Sequence, residues 1–176
     1  MSDFFTILDG DDRRRERDYL LSVELSEKDL KRLYELIRSN DNPKGSYASW
    51  IFTNKMDQDK KKIALFVDDL ILWLPECQTQ GILRSMLRSV SQHEAPQKNE
   101  SEWIDLCFHY LIKLDYEIAV KVHAMQILFM YCKKYPELAT ELKGVIENGE
   151  KNYSPALAAR SRNILKSLER ISENLS

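Results

Sequence analysis

Glycine and proline are scarce, five of each in 176 residues. A β-sandwich needs frequent turns and a disordered tail is usually rich in both residues, so neither class fits. No uninterrupted apolar stretch approaches the roughly 20 residues of a membrane-spanning helix. The start, Met1 to Asp9, lacks the basic-then-apolar order of a secretory signal, which makes a cytoplasmic location the expectation. Only three cysteines occur, Cys77, Cys107 and Cys132, widely spaced within apolar stretches. They read as buried reduced thiols rather than a disulfide framework. Neither sign of charge dominates: the formal net charge of −2 favours no polyanionic partner overall. The glycines are isolated, so there is no phosphate-cradling loop. Gly-x-Ser-x-Gly and His-Glu-x-x-His are missing as well.

What is present suits helices joined by short turns. Hydrophobic residues make up 43% and charged residues 31% of the chain, enough to bury a core in one domain spanning residues 1–176. Residues 1–10 are either a flexible lead or a segment packed on the first helix. Asp11-Asp12 suits a helix N-terminus, with a helix to about Leu21. Ser26-Glu-Lys-Asp29 is a capping signal for a helix carrying Leu30, Leu33, Leu36 and Ile37 on one face. Helices are expected over 44–56, 60–74 (closed by Pro75), 78–91, and from an Asn99 cap to Ile112. The longest and most apolar, 117–135, bears two hydrophobic stripes. One is Ile118, Val122, Met125, Phe129 and Cys132; the other is Val120, Ala124, Ile127 and Tyr131. A surface helix needs one stripe, so two imply neighbours on two sides. Pro136 opens a helix to about Asn148, and Ser154-Pro155 caps a last helix with one polar side.

Two of these segments read as versions of one another. Tyr116-Glu-Ile-Ala-Val-Lys-Val-His-Ala-Met-Gln-Ile-Leu128 aligns, at a shift of 37, with Tyr153-Ser-Pro-Ala-Leu-Ala-Ala-Arg-Ser-Arg-Asn-Ile-Leu165. Self-similarity at such a period is the mark of stacked repeats. The helices pair as 27–39 with 44–56, 60–74 with 78–91, 100–113 with 117–135, and 136–148 with 154–172.

Ala119-Val-Lys121-Val-His-Ala124-Met-Gln-Ile-Leu128, together with Ala156-Leu-Ala-Ala-Arg160-Ser-Arg-Asn-Ile164-Leu165, resembles the second helix of HEAT and armadillo-type repeats. Lys133-Lys-Tyr-Pro-Glu-Leu138 and Arg160-Ser-Arg162-Asn-Ile-Leu resemble the C-terminal part of small bacterial HEAT-like proteins. The resemblance implies an all-α fold, a right-handed α-α superhelix of about four hairpins plus an N-terminal helix. A fold of this kind does not by itself specify a function.

Constellations for chemistry are weak. Cys107, His109, His123 and Cys132 could be imagined around zinc, but the spacing matches no common ligand pattern. Residues 107 and 109 also lie about 200° apart on a helix. Asp68-Asp69 and the pair Glu137 and Glu141 read as solvated faces, and Trp50, Trp73 and Trp103 as core anchors. No catalytic residue, metal or cofactor is therefore expected, and a non-enzymatic role leads. Charge is more informative. The second helices of the four pairs carry +2, +2, +2 and +3, or +9 together, against −1 for the first helices with the third counted over 101–113. Equivalent helices of a solenoid line one surface, so a basic inner face is expected, with Arg84, Arg88, Lys121, Arg160 and Arg162 as its candidate binding residues. Solubilising charge without a partner is the plain alternative. The leading expectation is a scaffold that binds another macromolecule, a protein first, through the concave face lined by the second helices. Nucleic-acid binding through that groove, as in HEAT-like DNA-repair proteins, is the alternative. An enzyme with an unrecognised site is the third. No small-molecule substrate and no membrane partner is evident.

Overall fold

The computed structural model describes residues 4–10, 15–39, 41–149 and 153–173, and among these there is no strand. Ten α-helices follow in chain order. They are α1 (Phe4–Asp9), α2 (Arg17–Ser22), α3 (Glu27–Arg38), α4 (Lys44–Gln58), α5 (Val67–Trp73), α6 (Gln80–Ser91), α7 (Glu100–Ile112), α8 (Ile118–Cys132), α9 (Leu138–Gly149) and α10 (Pro155–Glu173). The expected helix start at Asp11-Asp12 lies outside the described residues. In α1, Phe4, Phe5 and Leu8 are buried and the helix packs on α4.

The first hairpin shows how local sequence sets an element. Ser26 caps α3: its Oγ accepts from the Asp29 backbone N–H at 3.2 Å, and the Asp29 carboxylate accepts from the Ser26 N–H at 3.2 Å. Both bonds satisfy donors that the first helical turn leaves orphaned. Leu30, Leu33, Tyr34 and Ile37 then fall on one face, and all are buried against α4. The backbones approach closely at Gly45, where a Cβ would stand 3.3 Å from the Leu36 carbonyl oxygen.

The second hairpin departs from expectation. Instead of one helix over 60–74, a 3₁₀ turn at Lys60–Leu65 leads into α5, and a second at Leu74–Glu76 follows it. The cause is electrostatic and local. Three lysines at 60–62 are unfavourable at an α-helix N-terminus, whereas Asp68 and Asp69 fit the first turn of α5. Asp59 accepts from the Lys61 N–H at 3.3 Å and starts the tighter turn. Asn99 also differs. It precedes α7 as expected, but at φ 52° its side chain makes no capping bond, because a capping residue needs an extended backbone. Pro136 lies in a turn, and α9 begins two residues later at Leu138. Ser154 does cap α10, its Oγ accepting from the Leu157 N–H at 3.3 Å.

Three of the four expected pairs pack closely, α3 with α4, α7 with α8 and α9 with α10. In the second, α6 meets the 3₁₀ turn at Lys60–Leu65 rather than packing closely on α5. The second helices stack. Close contacts run from α4 to α6 to α8 to α10, and α8 also packs on α7 and α9. The second stripe of α8 is thereby covered, with Val120, Ala124, Ile127 and Tyr131 fully buried. The first is buried only at Met125 and Cys132, while Val122 and Phe129 are half-buried and Ile118 is exposed. The repeat period is written in the polar contacts as well. Tyr131 donates to the Pro96 carbonyl at 2.8 Å, Tyr110 to that of Leu74 at 2.9 Å, and Thr53 to that of Ser85 at 3.1 Å. Each bond joins residues about one repeat apart, so each ties a hairpin to its neighbour. The chain is an all-α repeat solenoid in which each hairpin shelters the apolar side of the next.

Candidate functional site

The stacked row α4–α6–α8–α10 positions the charged residues singled out from sequence. On α6, Arg84 and Arg88 are one turn apart and reach to opposite neighbours. Arg88 pairs with Asp57 on α4 at 2.6 Å, and Arg84 stands 3.8 Å from Glu117 at the start of α8. On α10, Arg160 donates to the side-chain oxygen of Gln126 on α8. Its Nε is buried and finds no partner among the described residues. Gln92, with its amide turned to satisfy both ends, accepts from Arg88 Nε at 3.1 Å and donates to Asp57 at 3.3 Å.

His123 lies between these arginines. Its Nδ1 is 3.1 Å from Ser91 Oγ. Burial, then the positive charges of Arg88, Arg160 and Arg84, push its pKa down from 6.5 to about 4. The imidazole is therefore neutral at pH 7, and the positive charge of the face rests on the three guanidiniums. They stand on α6 and α10, on either side of His123 on α8, and all three act on its ring.

The other two expected residues do not join them. Arg162 is exposed on α10 and, two positions from Arg160, is rotated about 200° from it. Lys121 is buried, 8% exposed. It lines a cavity of about 510 Å³ bounded by the ends of α7 and α9 and the starts of α8 and α10. Burial lowers the pKa of its ammonium, and the Asp115 carboxylate partly offsets this.

The acidic and amide residues that organise the arginines, Asp57, Glu117, Gln92 and Gln126, were not singled out from sequence. A signal was available: Arg88 and Asp57, Arg84 and Glu117, and Arg160 and Gln126 are each separated by about one repeat. The imagined zinc ligands are dispersed. Cys107 and Cys132 are in the core, and His109 is exposed with its Nε2 3.2 Å from Tyr116 Oη. No group of three metal-ligating side chains gathers among the described residues, and no helix among them is long and apolar enough to cross a membrane.

Against known proteins, the model of a family described as a HEAT repeat domain matches residues 13–168. No curated protein and no solved structure matches the chain.

Proposed function

The chain belongs to the HEAT repeat domain family, and from that premise we propose that it is a non-enzymatic scaffold whose inner row of helices docks a segment of another protein. The row α4–α6–α8–α10 is closely packed, and no equally close packing links α3, α5, α7 and α9. Two joined rows of unequal closeness form arcs of unequal length, with the closer row inside. The inner surface is thus the one that carries Arg84, Arg88 and Arg160.

The carrying observation is how these arginines are already engaged. Two of the three hold carboxylates from neighbouring repeats, so the face alternates in sign instead of presenting bare positive charge. Such pairs are about 30–52% exposed at the side chain, so each contributes at most about 1 kcal/mol and is readily exchanged for a partner's groups. A mixed face of this kind complements a polar protein segment with acidic side chains. Nucleic acid presents phosphates alone and has no cationic side chains to pair with Asp57 and Glu117 once they are displaced, which makes it the less favoured ligand. Of the five expected residues, Lys121 and Arg162 are left out of this proposed face.

The test is recovery of partners from nuclease-treated native extract by the wild type and by an Arg84→Glu/Arg88→Glu/Arg160→Glu variant with unchanged circular dichroism. The scaffold reading expects proteins retained by the wild type and lost from the variant. Equal recovery by both overturns it. Retention that disappears on nuclease treatment points to nucleic acid instead.

A further inference from the structure

The cavity beside Lys121 is separate from the arginine patch and has a chemistry of its own. Its volume of about 510 Å³ falls in the range of roughly 300–1,000 Å³ typical of small-molecule sites. Leu111, Val145 and Leu157 belong to its wall. Ile112, Leu114 and Ile118 also line it, and they are 57%, 79% and 44% exposed. Large apolar side chains scattered singly on a surface are ordinary, but three adjoining one cavity make a patch that water covers poorly.

Into this apolar setting the chain places one ammonium. Lys121 is 8% exposed as a residue. Among the described residues its ammonium makes no hydrogen bond or salt bridge, and the Asp115 carboxylate is the opposite charge that acts on it. Every other buried lysine behaves differently among those residues: Lys55 donates to the Leu21 and Val23 carbonyls, both at 2.6 Å. An ammonium on a cavity wall, offset among the described residues by Asp115 without a direct ion pair, is placed to take a ligand's carboxylate.

We propose that this cavity binds a small apolar monocarboxylate, its carboxylate against Lys121 and its hydrocarbon tail among Leu111, Val145 and Leu157. A single negative charge matches the single ammonium. The wall also holds Tyr116, Asn148, Tyr153 and Ser154, but Lys121 is its one cation, so a phosphate dianion would leave one charge uncompensated. A neutral apolar ligand would fill the space but leave Lys121 unpaired.

Octanoate and 1-octanol serve as charged and neutral probes of equal chain length, titrated into the full chain and followed by methyl NMR. Shifts are expected at Leu111, Val145 and Leu157, with octanoate binding about tenfold or more tighter than octanol. Lys121→Met should erase that preference while leaving octanol binding in place. Arg84→Glu/Arg88→Glu/Arg160→Glu should bind octanoate as the wild type does, which separates this site from the protein-docking face. The wild type alone can overturn the proposal: octanoate that does not saturate, that binds no better than octanol, or that shifts methyls elsewhere does so. Octanoate binding unchanged in Lys121→Met, or lost in the arginine variant, also does so.

Discussion

Acidification should weaken the fold through His123 in a way that one substitution removes. The folded chain holds this imidazole's pKa down to about 4, against 6.5 for the free side chain, by burying it and surrounding it with Arg88, Arg160 and Arg84. At pH 7 it is neutral in the folded state and mostly neutral in the unfolded state, so it adds little to pH dependence there. Between pH 6.5 and about 4 the unfolded chain binds the proton and the folded chain does not. Stability therefore falls with falling pH by about 1.4 kcal/mol per pH unit, about 3 kcal/mol across the window. Carboxylates also titrate there, so the informative quantity is a difference between two proteins. Urea unfolding followed by tryptophan fluorescence, at about pH 7 and about pH 4, should show the wild type losing about 3 kcal/mol more than His123→Gln. Equal losses in the two proteins would refute the claim that the arginine cluster and burial keep this ring neutral.

Three further outcomes follow from the packing. Tyr110→Phe removes the buried hydroxyl that donates to the Leu74 carbonyl at 2.9 Å and leaves that carbonyl only the Cys77 N–H at 3.1 Å. It should cost about 1–2 kcal/mol and lower Tm by roughly 2–4 °C per kcal/mol, measured by calorimetry. Lys55→Met removes both bonds that hold the Leu21 carbonyl within α2 and the Val23 carbonyl just after it. It should cost about 2–3 kcal/mol and speed amide exchange over residues 17–23, and unchanged exchange would contradict it. Burial raises the thiol pKa of Cys77 and Cys107 and pushes that of Cys132 up to about 11. A disulfide reagent should therefore leave all three untouched in the native protein and label all three in denaturant, because only the thiolate reacts.

The sequence carried much of the architecture because the determinants were local or periodic. Ser26 with Asp29, Ser154 with Pro155, and the stripe Val120, Ala124, Ile127 and Tyr131 of α8 each constrain a few neighbouring residues, and the structure has all three where they were expected. The other α8 stripe is buried only at Met125 and Cys132. The broken helix at 60–74 was less legible, since its apolar spacing is helical and only the three lysines argue against an α-helical start. Charge counting located a basic row but treated each helix as a single face. Helical rotation separates Arg160 from Arg162 and Lys121 from His123 by about 200° each, which sorts the five residues into a patch, a surface charge and a cavity wall. The cavity itself could not be read from the chain. It depends on how the ends of four helices from two hairpins meet.

The most direct test of the docking face is site-specific photo-crosslinking in native extract. A crosslinker replaces Gln92, exposed beside Arg88 on the inner row, or Asp105, exposed on α7 in the outer row. Docking along α4–α6–α8–α10 predicts protein adducts from position 92 and none from position 105. Adducts from position 105 alone, or equally from both, would contradict it.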